Sequence, residues 1–504
     1  MAFVAGQWLA LAVSTALPLV AAPTYNVVVI TADDLSEQMI GDLTVANLLP
    51  HLQSEFINTG MRFTNSFTTT PLCCPSRATL LTGQYAHNHH VRANLRPNGG
   101  VTVLDDSSTV ATWLADAGYA TGFVGKYLNG YGRNSSGSDP SDDPTYIPPG
   151  WTDWQALTEP TLNRVYNYQI NDNGALINYG SAPADYQTDV LAQRAVAFLT
   201  ELPGTATHID APFFLWIAPL APHSETMPAP CSLPDQALGL IRPAPRHEGL
   251  ANSISLPRSP SFNEADLSDK PAWFRQALPT PYSQADIDCL EQSYRSRLAS
   301  MLAVDDLIGS VTEVLRTRGA MDRTVLIFTS DNGFLFGEHR ATGKVVPYEE
   351  SSRVPLYIRH PAMTSESTTA QVALNTDLAP TIAELAGVTP GIDVDGRSLV
   401  PLLEGTPPTA WRDLFLIEGL RLSQDGLTVP TFWTLRSGPF ALVPSRVLTS
   451  WQDGSAEYYD LNLDPFELAS NAAVLTPGQR GWANTRINQL RSCAGQACRD
   501  LETW

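Results

Sequence analysis

Basic residues are scarce in this sequence. Its 504 residues include 31 lysines and arginines against 51 aspartates and glutamates, so the formal net charge at pH 7 is -20. Nucleic acid phosphates and anionic membrane surfaces repel a chain with this charge, and we expect neither as a partner. The hydrophobic content of 43% and the charged content of 16% describe an ordinary globular protein, neither disordered nor membrane-embedded.

Long apolar runs are also lacking beyond residue 22, and no later segment approaches membrane-spanning length. Residues 1–22 are themselves apolar, with a core over residues 8–20 that ends in the small residues Ala21 and Ala22. This pattern is typical of a secretory signal peptide and is too short for a spanning helix. The sequence therefore predicts secretion, or sorting to a lysosome- or vacuole-type compartment.

Cysteine is limited to six residues, a number that fits an oxidising compartment. Cys493 and Cys498 enclose a short glycine-containing loop, and we expect a local disulfide between them. Cys231 and Cys289 form either a second bridge or two free buried thiols. Asn134 begins the one glycosylation sequon, Asn-Ser-Ser, in a polar loop where a glycan would fit.

No group of cysteines and histidines has the spacing of a zinc site. Three histidines do lie within four residues: His87, His89 and His90. Either they bind a transition metal, or they make hydrogen bonds and shape the wall of a pocket.

Two short apolar runs, over residues 26–30 and 324–330, have the continuous hydrophobicity of strands buried on both faces of a parallel sheet. Each run leads into side chains with oxygen ligands: Asp33 and Asp34 after the first, Asp331 and Asn332 after the second. Open α/β sheets bind ligands at the carboxyl ends of their strands. Such oxygens suit a hard cation, Ca²⁺ or Mg²⁺, although Asp33 and Asp34 taken alone would be read as a helix cap or a turn.

Helical and strand-like patterns alternate between these runs. We expect a helix over residues 109–117 that Gly118 closes, a strand over residues 120–124, and a helix over residues 292–315. This alternation predicts an α/β sandwich with a large mixed, mainly parallel sheet.

Residues 130–190 and 223–285 are rich in Pro, Asp, Ser and Asn and have little periodicity. We expect long loops there that wall a pocket. The first of them carries four aromatic residues: Trp151, Trp154, Tyr166 and Tyr168. These side chains either stack on a phenyl or sugar ring of a substrate or simply pack the loop.

The composition changes after Leu403, where Gly-Thr-Pro-Pro at residues 405–408 has the character of a linker. Patterns of four short strands and a closing helix follow, at residues 414–418, 431–436, 440–443, 457–461 and 478–493. We therefore expect a catalytic domain over residues 23–405 and a smaller C-terminal α+β subdomain with a short antiparallel sheet over residues 406–504.

Residues 73–77 read Cys-Cys-Pro-Ser-Arg, and Leu-Thr-Gly follows at residues 81–83. Pro75 suits the first turn of a helix, and Gly83 is placed to end it. Cys73 would then lie at a helix N-terminus, which favours negative charge, with Arg77 one turn later. A thiol beside a fixed cation indicates a nucleophile that faces an anionic substrate. The alternative is a buried cysteine pair beside a surface arginine.

The full run from Cys73 to Gly83 resembles the signature of the type I sulfatases, which have an alkaline-phosphatase-like fold. In that family the first cysteine of Cys-x-Pro-Ser-Arg is oxidised to formylglycine, whose hydrated aldehyde is the nucleophile. The resemblance implies that Cys73 is modified rather than Cys74, because only Cys73 has Pro two places on and Arg four places on. It also implies a partner, the formylglycine-generating enzyme, during maturation.

The resemblance covers nearly the whole chain beyond residue 22 and implies one calcium site. The ligands that it implies are Asp33, Asp34, Asp331, Asn332 and an oxygen of the modified Cys73. It further implies that Lys126 and Lys344 bind the sulfate group and that His223 lies near the leaving-group oxygen. Taken singly, each lysine could be a solvated surface charge, and His223 could merely hydrogen-bond a loop.

The sequence departs from the family at one position. Many sulfatases carry a histidine two residues after the first lysine, to help break down the covalent sulfate intermediate, and Leu128 stands there. Which group does that work in this chain is left open. The Lys-Tyr-Leu-Asn run at residues 126–129 resembles the glucosamine-6-sulfatase branch and fungal-type arylsulfatases, which indicates a subfamily trait.

In the mechanism that the resemblance implies, the cation and Arg77 stabilise a deprotonated hydroxyl of the hydrated aldehyde, which attacks sulfur in line. Lys126 and Lys344 neutralise the sulfuryl oxygens, and His223 protonates the departing alcohol or phenol. The second hydroxyl then expels sulfate. Because the whole chain is acidic, these local cations must reverse the field at the site.

Hydrolysis of sulfate monoesters is the leading hypothesis, and three alternatives stand beside it. They are an N-acetylglucosamine-6-sulfatase, a phosphomonoester or phosphonate hydrolase that uses two zinc ions on the same scaffold, and an inactive glycan-binding homologue in which Cys73 is never oxidised. A net charge of -20 makes a broad basic track for an extended polyanion such as heparan sulfate unexpected. We therefore predict ready cleavage of a small aryl sulfate and at most slow exo-action on a terminal sulfated sugar. The sequence does not fix the oligomeric state.

Overall fold

The computed structural model of the protein describes residues 25–41, 47–133, 142–226, 233, 238–363, 365–424 and 427–503. The predicted leader, the Asn134 sequon and Cys231 lie outside these residues. The leader, the glycan and the pairing of Cys231 with Cys289 therefore stay predictions. Among the described residues, no helix has both the length and the apolar character needed to cross a membrane.

Twenty strands form in the described part of the chain. In chain order they are β1 Asn26–Ala32, β2 Met61–Phe67, β3 Ala120–Gly125, β4 Asp153–Leu157, β5 Gln169–Asp172, β6 Ala175–Asn178, β7 Gly204–Thr205, β8 His208–Ile209, β9 Phe213–Ala218, β10 Thr324–Ser330, β11 Leu335–Phe336, β12 Thr342–Gly343, β13 Leu356–Arg359, β14 Ser367–Leu374, β15 Leu414–Gly419, β16 Leu422–Gln424, β17 Leu427–Val429, β18 Phe432–Ser437, β19 Arg446–Trp451 and β20 Ala456–Asp460.

The α-helices of the described residues range from single turns to a rod of nine turns. They are α1 Glu37–Gly41, α2 Pro50–Leu52, α3 Cys73–Thr82, α4 Ala86–His89, α5 Val110–Asp116, α6 Gln187–Glu201, α7 Ala272–Ala277, α8 Gln284–Thr317, α9 Glu349–Ser352, α10 Leu378–Leu385, α11 Val400–Leu403, α12 Pro477–Leu490 and α13 Gln496–Leu501.

Ten strands form one mixed, mainly parallel sheet in the order β14-β2-β13-β10-β1-β9-β3-β4-β5-β6. Its central strands are buried on both faces, because successive side chains of a strand point to opposite sides. Val28 and Ile30 of β1 pack in one layer with α6 and α8, whereas Val27 and Val29 pack in the other with α3, α5 and α10. The predicted α/β sandwich is therefore confirmed.

Four neighbouring strands, β10, β1, β9 and β3, run parallel, so their carboxyl ends share one edge of the sheet. Ala32 and Ser330 are paired at the ends of β1 and β10, so these two strands stop at the same level. The four ends lead to the polar side chains singled out in the sequence: Asp331 and Asn332 after β10, Asp33 and Asp34 after β1, His223 after β9, and Lys126 after β3. The topology therefore gathers residues that lie far apart in the chain.

The prediction of a long loop over residues 130–190 is wrong. Strands β4, β5 and β6 extend the main sheet there, and α6 begins at Gln187. The strand signal is hidden because β5 and β6 form an edge hairpin; polar residues dominate β5, and every residue of β6 is exposed. Much of residues 238–271 is irregular, and α7 follows it.

The long helix α8 starts earlier than predicted, at Gln284 rather than at residue 292. Ser283 caps it by accepting a hydrogen bond from the backbone N–H of Asp286, whose carboxylate accepts one in return from the N–H of Ser283. Cys289 and Leu290, within two turns of this capping box, are already buried, so an apolar stripe that is counted only from residue 292 places the start too late.

A four-stranded antiparallel sheet, β15-β18-β19-β20, forms the small C-terminal sheet, and α12 packs on it. The strand predicted over residues 440–443 is absent, and the third strand is β19 instead. Phe440 and Leu442 of that stretch are exposed, so their apolar character did not mark a buried strand. The predicted disulfide between Cys493 and Cys498 is confirmed.

The C-terminal sheet shares a core with the rest of the chain. Phe67 and Tyr348 pack in the same cluster as Phe415 and Trp451. These contacts join the parts of the chain before and after residue 405. The division into two domains at that residue therefore stays a prediction.

Candidate active site

Cys73 is the first residue of α3, which is buried along its whole length. Leu72 precedes the helix in an extended conformation, and Pro75 occupies the first turn, where its missing N–H costs nothing. Gly83 ends the helix with φ of 69°, and an added Cβ there would lie 3.1 Å from Pro380 and Val394. Glycine is therefore required both for the turn and for the close packing.

The Cys73 thiol lies between two lysines. Lys344 Nζ is 2.8 Å from its Sγ and Lys126 Nζ is 3.7 Å away, while Asp33 Oδ1 lies at 3.7 Å. All of these groups are buried, and the Cys73 residue is only 1% exposed. The structure thus brings the predicted nucleophile and both predicted sulfate-binding lysines into one site.

Each of the three aspartates at the site is paired with a fixed cation. The pairs are Lys126 with Asp33, Lys344 with Asp34, and Arg77 with Asp331, whose Oδ2 accepts a hydrogen bond from Arg77 Nε at 2.8 Å. Arg77 also lies 3.3 Å from Asp33 through its terminal NH2 group. These pairs fix the orientation of the three carboxylates and of their cationic partners.

Asn332 supplies an unused acceptor among these carboxylates. Its Nδ2 donates to Asp34 Oδ1 at 2.7 Å and to the carbonyl of Gly333 at 2.9 Å, whereas its buried Oδ1 has no hydrogen-bond partner. A buried acceptor without a partner is costly, and a cation would satisfy it. Three carboxylates and one amide oxygen are the donors that Ca²⁺ and Mg²⁺ prefer, so the residues present fit a hard divalent cation.

Burial and neighbouring charges act in opposite directions on the acidic groups. Burial raises the pKa of the Cys73 thiol to about 12, and the two lysines only partly offset this effect. Burial also disfavours the ionised forms of Asp33 and Asp34, but the cations beside them outweigh it and hold both pKa values below the usual range. For Asp331, burial and then the charge of Asp33 raise the pKa despite Arg77.

Arg297 is a site residue that sequence reasoning missed. It projects from α8, is 1% exposed, lies 3.9 Å from Asp34 Oδ2 and stacks 3.9 Å from the ring centroid of Phe334. One signal was available, since Arg297 occupies the buried stripe that Tyr294 and Met301 mark on the helix. A charged residue on such a stripe is rare unless it has a partner.

The site as a whole is positive. It holds four cationic side chains and three carboxylates, namely Arg77, Lys126, Arg297 and Lys344 against Asp33, Asp34 and Asp331. A divalent cation would add to this excess. The local field is therefore opposite in sign to the net charge of -20.

His223 is the most exposed of these groups, with 17% of its side chain accessible. Its Nδ1 lies 2.6 Å from the carbonyl oxygen of Ser224, and its Nε2 lies 3.6 Å from Asp34 Oδ2. Burial lowers its pKa to about 4. Nδ1 therefore donates to the carbonyl, and Nε2 faces the site as the nitrogen that can gain or lose a proton.

The three histidines after α3 do not converge on one point. His87 contacts Glu418 and the carbonyl of Cys493, and His89 pairs with Thr79 at 3.0 Å. His90 is exposed. Of the two alternatives, hydrogen bonding describes His87 and His89.

The four aromatic residues that could have stacked on a substrate are core residues. Trp151 and Trp154 pack with Phe123 in one layer, and Tyr166 and Tyr168 pack in the other. Leu128 is likewise fully buried in the core. No residue of this group is available to a substrate ring.

The profile of the family described as "Sulfatase" matches residues 25–388. A second profile, described as "N-sulphoglucosamine sulphohydrolase, C-terminal", matches residues 337–476. The first match spans well over half of the chain and includes every residue of the site described above.

Several characterised proteins are similar to this chain over most of its length. The N-acetylglucosamine-6-sulfatase of Capra hircus is 30% identical over 508 residues, covering 94% of this chain and 84% of that protein. The arylsulfatase of Volvox carteri is 37% identical over 397 residues, covering 76% of this chain and 58% of that protein.

Solved structures share the fold. One, in complex with its substrate D-glucosamine-2-N,6-O-disulfate, has a TM-score of 0.72 at 23% identity and covers 95% of this chain and 98% of its own. The phosphonate monoester hydrolase of Agrobacterium radiobacter has a TM-score of 0.65 at 24% identity, with 92% and 95% covered. At these identities the likeness concerns the fold.

Proposed function

This chain belongs to the sulfatase family and is a sulfate ester hydrolase, and we propose that it acts on small aryl sulfates through a formylglycine made from Cys73 and one calcium ion. The observation that carries this proposal is the convergence of Lys126, Lys344 and Arg77 around the buried end of α3. The negative charge of a sulfuryl group and of the oxygen that attacks it matches this cluster of cations.

The unmodified thiol is a poor nucleophile in this setting. Burial raises the pKa of Cys73 to about 12, so the thiolate is scarce at neutral pH. Formylglycine, once a generating enzyme has made it, supplies a hydrated aldehyde as an oxygen nucleophile. The position at the start of α3 supports this assignment for Cys73, because Cys74 points into the apolar layer with Ala78 and Leu81.

The cation would be held by Asp33, Asp34, Asp331 and the free Oδ1 of Asn332, together with the residue at position 73. A calcium ion there supplies Lewis acidity and a positive charge beside the sulfuryl group. Among the described residues, Cys73 and His223 are the only sulfur and imidazole groups of this cluster. This favours calcium over a pair of zinc ions and supports the proposal over a two-zinc phosphonate hydrolase.

Lys126 and Lys344 would bind the sulfuryl oxygens. Both ammonium groups are already fixed by Asp33 and Asp34, so they need no reorganisation when charge shifts toward the leaving group. Arg77 holds Asp331 and Asp33 and also donates to the carbonyl of Lys126, which ties the helix to the end of β3. Its role is to position these groups and to add positive charge.

His223 would protonate the departing oxygen through Nε2. Its partial exposure supports a position beside the organic part of the ester. Because a general acid must be protonated, we expect kcat/KM for an alkyl sulfate to fall as pH rises above the pKa of His223.

The variant His223→Asn tests this role. A poor leaving group needs its proton, so kcat for an alkyl sulfate should fall by about 10²- to 10⁴-fold, whereas 4-nitrophenyl sulfate should lose less than about tenfold. Kinetics on a series of aryl and alkyl sulfates measure the difference. His90→Asn is the matched control, because His90 is exposed at φ of 67°, which asparagine tolerates. An equal loss for every leaving group would exclude general-acid catalysis by His223.

A small substrate is favoured by the enclosure of the site. Cys73, Lys126 and Lys344 are almost wholly buried, and His223 alone of the proposed catalytic groups is appreciably accessible. A terminal sulfuryl group can enter, and the rest of the substrate must remain near His223. The acidic chain also disfavours a long polyanion.

We expect faster hydrolysis of 4-nitrophenyl sulfate than of N-acetylglucosamine-6-sulfate when kcat/KM is measured side by side. Aryl sulfates have the better leaving group, and a closed site makes few contacts with a sugar. The similarity to an N-acetylglucosamine-6-sulfatase over 94% of the chain supports the sugar as the second candidate. A marked preference for the sugar would overturn the aryl assignment and leave the sulfatase reaction intact.

Secretion or lysosome-type sorting completes the proposal. The disulfide between Cys493 and Cys498 supports it, because such bonds persist in oxidising compartments.

A further inference from the structure

A second group of ionisable side chains lies buried where the segment after β11 meets the C-terminal sheet. Candidate ligand atoms of His339, Glu350 and Glu467 all lie within 4.8 Å of one another. These residues are 0%, 5% and 2% exposed. They come from three places in the chain, ahead of β12, in α9 and after β20, and none belongs to the site around Cys73.

Two polar atoms of this group have no hydrogen-bond partner. They are His339 Nε2 and Glu350 Oε2, both buried. The other ring nitrogen, His339 Nδ1, lies 2.7 Å from Glu264 Oε2. A carboxylate that accepts a hydrogen bond from one imidazole N–H leaves the lone pair of the other ring nitrogen free, as in histidines that bind metals.

The surroundings are rich in buried carboxyl groups. Five glutamates lie together there, Glu264, Glu338, Glu350, Glu457 and Glu467, and the cations that face them are Lys270 and Arg340. Burial and then the charge of Glu338 raise the pKa of Glu350 to about 7, and burial raises the pKa of Glu467 well above its usual value. Protons or a cation must compensate this excess of negative charge.

We propose that His339, Glu350 and Glu467 form a second, structural metal site that takes a first-row divalent metal ion, Zn²⁺ or Mn²⁺. One imidazole nitrogen with two carboxylates suits such an ion better than Ca²⁺, which prefers oxygen ligands alone. The two free atoms, His339 Nε2 and Glu350 Oε2, are the acceptors that a cation would satisfy.

The site would act on the segment that carries Lys344. His339 precedes Lys344 by five residues and Glu350 follows it by six, so one ion would hold both ends of this segment against Glu467 of the C-terminal part. The Glu467 carboxylate already accepts a hydrogen bond from the backbone N–H of Glu349 at 3.1 Å. The metal would therefore couple the C-terminal sheet to the position of Lys344.

Metal content per chain tests the proposal independently of catalysis. The full-length protein is stripped with a chelator, incubated with Zn²⁺ or Mn²⁺, desalted and analysed by mass spectrometry for bound metal. The Asp331→Asn variant, which disables the site around Cys73, should still retain one equivalent. When Glu350→Gln is added to the Asp331→Asn variant, the protein should retain no metal. The matched control adds Glu404→Gln instead, at an exposed glutamate, and should retain one equivalent of metal.

A measurement that needs no substitution at the proposed second site guards against variants that do not fold. Addition of Zn²⁺ or Mn²⁺ to the stripped Asp331→Asn protein should raise its Tm, because a ligand that binds only the folded state stabilises it. The proposal would be overturned if the Asp331→Asn protein retained no metal. It would also be overturned if the protein that carries both Asp331→Asn and Glu350→Gln still retained one equivalent of metal. The carboxyl groups would then be compensated by protons.

Discussion

Replacement of Cys73 by alanine should abolish sulfate ester hydrolysis, with kcat lowered on the order of 10⁴-fold or more, as the removal of a nucleophile does. The loss is chemical, since the lysines, Arg77 and the three aspartates remain in place. The side chain is small and lies among polar groups, so the free energy of unfolding should change by only about 1 kcal/mol. Steady-state kinetics and thermal unfolding measure the two effects separately.

Cys74→Ala is the matched control. Cys74 is the next residue of α3, is equally buried and packs in the apolar layer below the helix. The control should keep its activity and lose a similar amount of stability. Comparable activity in Cys73→Ala and Cys74→Ala would show that the nucleophile lies elsewhere.

Asp331→Asn should release calcium and lower kcat/KM on the order of 10³-fold, the scale of a lost electrostatic contribution to a transition state. Asp331 Oδ2 accepts from Arg77 at 2.8 Å and Oδ1 accepts from the backbone N–H of Asp34 at 3.1 Å, so its charge supports both the proposed cation and Arg77. The substitution is nearly isosteric. Calcium content and kcat/KM, measured on the same preparation, test it.

Asp305→Asn is the control for the general effect of replacing a buried carboxylate with an amide. Asp305 is also buried, lies within α8 away from the candidate site, and accepts hydrogen bonds from the backbone N–H groups of His51 and Leu52. It should lose stability and keep both calcium and activity. If Asp331→Asn kept full activity without bound calcium, the assigned ligand set would be refuted. If the wild-type site held two zinc ions, a phosphatase would be favoured.

The central strands of the sheet could be predicted because their burial is visible in the sequence. Residues 27–30 and 325–328 are continuously apolar, and both stretches form the middle of central parallel strands. The edge strands β5 and β6 could not, because polar and exposed residues are compatible with strand pairing at an edge. The start of α8 was likewise missed, because its capping box and the buried residues Cys289 and Leu290 lie ahead of the apolar stripe from which the helix was predicted.

The candidate site could be anticipated where a residue follows a strand or belongs to a local motif. Asp33 and Asp331 end two neighbouring parallel strands, and the topology alone brings them together. Arg297 could not be placed, because its position depends on how α8 crosses the sheet. The two alternatives for Trp151 and Trp154, stacking on a substrate or packing, could not be separated for a related reason, since only tertiary packing shows which aromatic faces are covered.

The contrast between the acidic chain and the positive site has a physical explanation. Acidic residues such as Asp143 and Asp266 lie at the surface, where water screens them, while the four site cations are buried and act at short range. Net charge therefore says little about what the site binds. It bears instead on the size of the substrate that can approach.

The chemical state of residue 73 decides the account most directly. Trypsin should release the peptide of residues 63–77, which contains Cys73 and Cys74 and ends at Arg77. After alkylation of thiols, mass spectrometry of fully active protein should show one alkylated cysteine, at position 74, and an aldehyde that reacts with a hydrazide at position 73. Two alkylated thiols in fully active protein would contradict the formylglycine mechanism.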